Sequence, residues 1–242
     1  MNDTRGSQGI AGRAIEHAPV TVAVDSVRLE GDLGIPTAAK GAVLFAHGSG
    51  SSRYSPRNRY VADVLNEGGL ATLLIDLLTE DEQQVDLQTS HLRFNIPFLS
   101  RRLEVVTKWL TNHPEMRNLK ICHFGASTGA AAALVAAAEL PNLVRAVVSR
   151  GGRPDLVGAA LARVETPTLL IVGGADPMVL DLNRKAMALM RCEKQMQIIP
   201  GAGHLFEEAG ALKQVAALAR DWFLEKLPKT AASNPAAVRA RS

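Results

Sequence analysis

The amino-acid sequence predicts an α/β chain built on a mostly parallel, doubly wound sheet with an antiparallel pair of strands at its amino-terminal edge. Three observations lead there. Short, continuous apolar runs recur at 42–46, 71–75, 119–124, 146–148, 168–172 and 196–199, the pattern of strands buried on both faces. The stretches between them space their apolar residues as helices do. Before the first run, residues 20–24 and 27–33 instead alternate apolar and polar side chains around Asp25-Ser26, as a half-exposed hairpin does. At 242 residues, 47% of them hydrophobic and 21% charged, the chain is long enough for one sizeable domain and too short for two enzyme domains with a linker.

Residues 1–19 scatter polar and charged groups among Gly and Ala and lack the apolar core of a secretory signal, so they read as a flexible segment. A cytoplasmic location follows by default. The domain spans 20–228. After the 42–46 strand, Val61, Val64 and Leu65 share one helical face. The strand at 71–75 leads into the polar connection 79–90, carrying Glu80, Asp81, Glu82 and Asp86. It reads as a solvated acidic loop, with shielding of one side of a site as the alternative. Leu99, Leu103, Val106 and Leu110 mark the next helix, and an alanine-rich helix over 130–140 follows the 119–124 strand. Only about 20 residues separate the strand ending at Val148 from the one starting at Thr168, room for one helix and two loops, so no cap domain is expected there. Leu212, Val215, Ala219, Trp222 and Phe223 line the last helix, which Pro228 should end. Residues 229–242 then read as a flexible basic tail.

Charge and composition exclude several functions. The formal net charge is +3, yet Lys226, Lys229, Arg239 and Arg241 lie near the end with no acid among them, so the body of the chain is nearly neutral. With 4% aromatic residues and no basic face, nucleic acid is not an expected partner. No apolar run is long enough to span a membrane. The two cysteines, Cys122 and Cys192, form neither a disulfide framework nor a Cys-x-x-Cys metal pair, and no metal or cofactor site is evident.

The most informative segment is Gly125-Ala126-Ser127-Thr128-Gly129, set between an apolar run and the alanine-rich helix. A serine at a sharp strand-to-helix turn, with glycine two residues to either side, has the form of a nucleophile elbow. Such a serine needs a base, and the base needs an acid to fix its tautomer. His204 follows the 196–199 strand through Gly201-Ala202-Gly203 and is the candidate base. Its alternative role is that of a polar residue near a helix start, where Glu207 and Glu208 follow. Asp176 follows the 168–172 strand through Gly173-Gly174-Ala175 and is the candidate acid. Asp155, on the preceding strand's loop, is the alternative acid, and Asp76 reads as structural, paired with an arginine. The backbone N–H groups of Thr128 and of Ser49, in the loop His47-Gly48-Ser49-Gly50, are the candidate oxyanion donors. His47 is expected to orient that loop, and Gly48 to let backbone approach substrate. Arg53 and Arg150 are candidates to bind a substrate carboxylate, with ion pairing to Asp76, Glu80 or Asp155 as their alternative.

Taken together, these motifs, with Asp76-Leu77-Leu78-Thr79 and Gly201-Ala202-Gly203-His204-Leu205-Phe206, resemble the α/β-hydrolase superfamily, more narrowly its small, uncapped, dienelactone-hydrolase-like bacterial serine hydrolases. The resemblance runs from about Val27 to Leu227. It implies cleavage of an ester-like bond of a small molecule, without metal or organic cofactor. Dienelactone hydrolases proper carry cysteine at the elbow where this chain has Ser127, so their lactone substrate is not carried over. The expectation is a serine-dependent carboxylic ester hydrolase acting through an acyl-Ser127 intermediate. Thioesterase, lactonase, amidase or acyltransferase chemistry on the same triad is the alternative, as is a ligand-binding receptor on a hydrolase scaffold.

Overall fold

The structure, a computed structural model, describes residues 14–227; the expected carboxy-terminal tail and the first part of the amino-terminal segment lie outside them. Among the described residues, eight strands form one sheet: β1 (Ile15–Val24), β2 (Val27–Pro36), β3 (Ala42–Ala46), β4 (Ala71–Ile75), β5 (Ile121–Ala126), β6 (Val144–Arg150), β7 (Thr168–Gly173) and β8 (Lys194–Ile199). Their spatial order is β1-β2-β4-β3-β5-β6-β7-β8. The β1–β2 and β2–β4 pairs are antiparallel and all others parallel.

Helices cover both faces: α1 (Pro56–Glu67), α2 (Glu80–Thr89), α3 (Ile96–Asn112), α4 (Thr128–Glu139), α5 (Pro177–Leu189) and α6 (Ala211–Lys226). One face packs Leu99, Leu103, Val106 and Leu110 of α3 and the alanines of α4 against the sheet. The other packs Val61 and Leu65 of α1 with Val215, Ala219, Trp222 and Phe223 of α6. Phe45 and Phe124, with ring centroids 4.8 Å apart, join β3 to β5 on this second face. Each face of the sheet thus has its own core, which is why the central strands are mostly apolar. In α4, Ala130, Ala131, Ala132, Ala133, Ala136 and Ala137 are fully buried, and Leu134 is the one large side chain buried with them. The helix therefore approaches the sheet and α3 more closely than a leucine-rich helix would.

The connection from β6 to β7 is a 3-10 segment, Pro154–Arg163, broken at Gly158 (φ 61°), in place of the expected single α-helix; it holds no cap domain. Two further expectations need correction. First, β1 begins at Ile15, so residues 15–19 belong to the sheet and not to a flexible leader. Pro19 sits opposite Asp32 in that pairing, and β1 is an edge strand, where a missing N–H is tolerated.

Second, residues 79–90 are not a solvated loop but the capped helix α2. Thr79 Oγ1 accepts the Glu82 N–H at 3.3 Å while Glu82 Oε2 accepts the Thr79 N–H at 2.8 Å, a capping box. Glu82 also holds Arg102 of α3 through two bonds of 2.6 Å, which docks α2 without an apolar face. Thr79→Ala should therefore lower stability by about 1 kcal/mol, read as a Tm fall of about 2–4 °C for a domain of this size.

Candidate active site

The carboxyl ends of β3, β4 and β5 lie level, with Ala46 in register with both Ile75 and Gly125. From β3 the chain crosses to β4 on one side, and β5 lies on the other. Loops leaving β3 and β5 therefore diverge at a topological switch point, where open α/β sheets form their crevices.

Ser127 occupies the turn from β5 into α4 at φ 50°, ψ −120°, a conformation that strains any residue but glycine. The surroundings hold it there. The Ser127 N–H donates to Arg150 O at 3.1 Å, and Ser127 O accepts from Ala130 and Arg153 N–H at 3.1 and 3.2 Å. The flanking glycines are needed for space: a Cβ at Gly125 would lie 2.4 Å from Ala130 Cα, and one at Gly129 would lie 2.2 Å from Ala46 O.

His204 and Asp176 meet Ser127 from the loops after β8 and β7. Asp176 Oδ2 is 2.8 Å from His204 Nδ1, and His204 Nε2 is 3.3 Å from Ser127 Oγ. The two loops are knitted together by the bonds Gly174 N to Ile199 O (2.8 Å) and Ala175 N to Ala202 O (2.9 Å). Gly173 allows this approach, since a Cβ there would lie 2.3 Å from Ala202 O. Beyond His204, Phe206 is buried at φ 57°, and the Gly203 N–H donates to Glu208 Oε1 at 2.9 Å. Asp176 also caps α5, its Oδ1 accepting the Val179 N–H at 3.3 Å. Asp155, the alternative acid, instead pairs with Arg153 at 2.7–2.8 Å.

The candidate oxyanion donors lie side by side. Thr128 opens α4, where the first amides have no intrahelical acceptor. The Ser49 N–H donates to Thr128 Oγ1 at 2.9 Å, a contact that sequence reading did not foresee. Gly48 abuts the nucleophile, a Cβ there falling 3.1 Å from Ser127 Cβ. His47 is fixed from both ring nitrogens: Nε2 accepts the Leu77 N–H at 3.1 Å, so Nδ1 carries the proton and donates to Gly48 O at 3.0 Å. Burial pushes its pKa down, against the opposing pull of Gly48 O and Asp76. It is a neutral clamp on the loop, and neither nitrogen is left for substrate. His123, buried on the α3/α4 face, bonds Thr107 Oγ1 at 2.9 Å and is pushed down by burial to about 4.

Both arginine candidates for a substrate anion are displaced. Arg53 is held by Asp76 through its own N–H (2.6 Å to Oδ1) and through Nη1, and its Nη2 donates to Tyr54 Oη at 2.6 Å. That is the ion-pair alternative. Arg150 is buried, its Nε and Nη1 without partners among the described residues, and burial together with Arg57 brings its pKa down to about 10. Neither lines the cavity of about 440 Å³ that opens beside the oxyanion residues. The side chains that do include Arg57 of α1 and, from α2 and the loop after it, Gln83, Gln84, Leu87 and Arg93. The Thr79-x-x-Glu82 spacing is the sequence signal that could have found this wall.

A solved structure of a dienelactone hydrolase from Anabaena variabilis is 59% identical, with a TM-score of 0.86, covering 88% of this chain and 99% of that one. The Xanthomonas campestris protein XC6422, an α/β serine hydrolase without a lid, is 18% identical at a TM-score of 0.73, covering 89% and 97% of the two chains; it shows the fold alone. A Mycobacterium tuberculosis H37Rv protein bearing the provisional name phosphoribosyl transferase is 54% identical over 208 residues, 86% of this chain. Those residues make up 46% of that protein, so this chain matches about half of the relative's length. The dienelactone hydrolase family model matches residues 30–227, a span that takes in β3 to α6 and every residue of the site. The chain belongs to the dienelactone hydrolase family.

Proposed function

We propose that this chain cleaves a carboxylic ester of a small molecule through an acyl-Ser127 intermediate. The observation that carries the reading is the hydrogen-bonded line from Asp176 through His204 to Ser127 at a strained elbow. Ser127 Oγ attacks the acyl carbon and its proton passes to His204 Nε2. Asp176 keeps the Nδ1 proton in place and stabilises the imidazolium. Charge on the former carbonyl oxygen goes to the N–H groups of Thr128 and Ser49. His204 returns the proton to the departing alcohol, and water then repeats the sequence on the acyl-enzyme to release the acid. No step asks for a metal or an organic cofactor.

The Ser49 N–H must leave Thr128 Oγ1 to reach the oxyanion. A neutral carbonyl offers little for that exchange, whereas a charged oxygen forms a bond about twice as strong. The donor is thus delivered as charge develops, and its binding energy favours the transition state over bound substrate.

A fluorophosphonate probe tests the reading directly. Intact mass should show one adduct, peptide mapping should put it on Ser127, and an activated ester such as p-nitrophenyl acetate should give a burst of acyl-enzyme. Absence of the adduct from Ser127 sinks the proposal. Product analysis with competing thiol, amine and alcohol acceptors separates hydrolysis from acyl transfer.

A further inference from the structure

The cavity beside the oxyanion loop is lined by hydrogen-bond donors, and its carboxylate is already spent. Asp86, the one acid on its wall among the described residues, is buried and accepts from Leu92 N–H (2.6 Å), Arg93 N–H (3.2 Å) and Arg93 Nε (2.5 Å). Burial pushes its pKa up, but Arg93 and these amides outweigh that and hold it below the usual carboxylate range. Arg93 is thereby fixed: Nε and Nη2 are bound to Asp86, its side chain and carbonyl. Its Nη1 makes no hydrogen bond among the described residues and points at the oxyanion loop, 3.9 Å from where a Cβ of Gly50 would stand.

A second guanidinium lines the same cavity, that of Arg57 in the first turn of α1. Arg57 pairs with Glu207 through Nη1 at 3.0 Å, but Glu207 is largely exposed, and Arg57 Nε is buried without a partner among the described residues. Buried Arg150 adds a repelling positive charge behind it, so this side carries more cation than its single solvated carboxylate offsets. Ser49, Ser51, Ser52 and Ser55 line the cavity with Arg57 and Arg93. Ser52 and Ser55 Oγ accept backbone N–H groups, which leaves their hydroxyl protons to donate. Leu77, Leu78 and Leu99 give an apolar floor for a short carbon skeleton.

We propose, building on the ester hydrolase reading, that this cavity binds a phosphate group carried by the ester substrate, with Arg93 and Arg57 as its cationic contacts. A carboxylate has two oxygens and one charge and is saturated by a single guanidinium fork. Two cations from separate elements, with hydroxyls on the same cavity lining, suit a phosphate monoester, with three terminal oxygens and a charge near −2. Room of about 440 Å³ admits the phosphate together with a glycerol- or sugar-sized linker.

Three matched esters test this: 1-acetylglycerol, 1-acetylglycerol 3-phosphate and 3-O-acetylglycerate, compared by kcat/KM. The phosphate ester should be preferred to the neutral one at least tenfold, and inorganic phosphate should inhibit competitively. Arg93→Met should lower the phosphate-to-neutral ratio on the order of 100-fold, as loss of a charge-assisted contact does; Arg57→Met should lower it about tenfold. Should Arg93→Met fail to fold once Asp86 loses its partner, Arg57→Met decides alone. Equal losses on both esters, no wild-type preference, or preference for the carboxylate ester would each overturn the proposal. In all of these the fluorophosphonate adduct on Ser127 is retained, whereas failure of the hydrolase reading itself removes that adduct and turnover of all three esters.

Discussion

Ser127→Ala is expected to lower kcat on p-nitrophenyl acetate by about 10⁶-fold, leaving a residual rate from the oxyanion donors and substrate binding alone. Alanine keeps the Cβ and removes only the Oγ that faces His204 Nε2. The folded state should barely notice, because neither the bond from the Ser127 N–H nor those to its carbonyl involve the side chain. Ser127→Gly makes a sharper companion. At φ 50°, ψ −120° glycine is free of strain that costs other residues about 1–3 kcal/mol, so Ser127→Gly should melt above the parent while being equally inactive. Urea unfolding and steady-state turnover of the three proteins check both statements. Retention of more than about 1% of kcat by Ser127→Ala, far above a loss of this order, would assign the nucleophile elsewhere.

That strain is imposed by neighbours, and the neighbours explain what the sequence could and could not convey. Gly125 and Gly129 are required by backbone from Ala130 and Ala46, atoms any sequence supplies, so the glycine spacing signals the elbow once the apolar run before it and the alanine-rich helix after it are read with it. The strands β3, β4 and β7 are equally legible, being buried along their whole length and apolar but for one threonine each in β4 and β7. Asp176 is legible because it follows such a run through a glycine-rich loop, and His204 because a glycine-rich loop also follows β8, although that edge strand is only partly buried and carries Lys194, Gln195 and Gln197.

Features that depend on partners far along the chain leave no such mark. Helix α2 has no apolar stripe to betray it; it exists by its capping box and by the Glu82–Arg102 pair. Its one local mark is the Thr79-x-x-Glu82 spacing, and nothing in the sequence places Arg93 on the cavity wall that it helps to build. The Ser49–Thr128 bond joins residues 79 positions apart and depends on a side-chain geometry that spacing does not encode. Arg53 and Arg150 are equivalent as sequence, two arginines past strand ends. Only the fold separates them, by giving Asp76 to one and, among the described residues, no carboxylate to the other.

Asp176→Asn should cut kcat on the order of 10⁴-fold while leaving the fold intact, and the reason lies in the acid's two contacts. Oδ1 caps α5 through the Val179 N–H, and Oδ2 receives His204 Nδ1. Asparagine is as good a cap as aspartate, so its oxygen stays with Val179 and its amide nitrogen turns to His204. An amide N–H can only donate, which forces Nδ1 to become the acceptor and moves the ring proton to Nε2. That nitrogen then faces Ser127 Oγ already protonated and cannot accept the serine's proton, so the base is lost through its tautomer and not its position. Asp176→Ala removes both contacts and should lose about 1 kcal/mol of stability as well as activity. Turnover measured beside thermal melts separates these variants, and the deciding comparison is Asp155→Asn. Its Arg153 pair lies outside the line to Ser127, so Asp155→Asn should stay within a few-fold of the parent. If Asp155→Asn suffered the larger loss, the acid would have to be reassigned to the loop after β6.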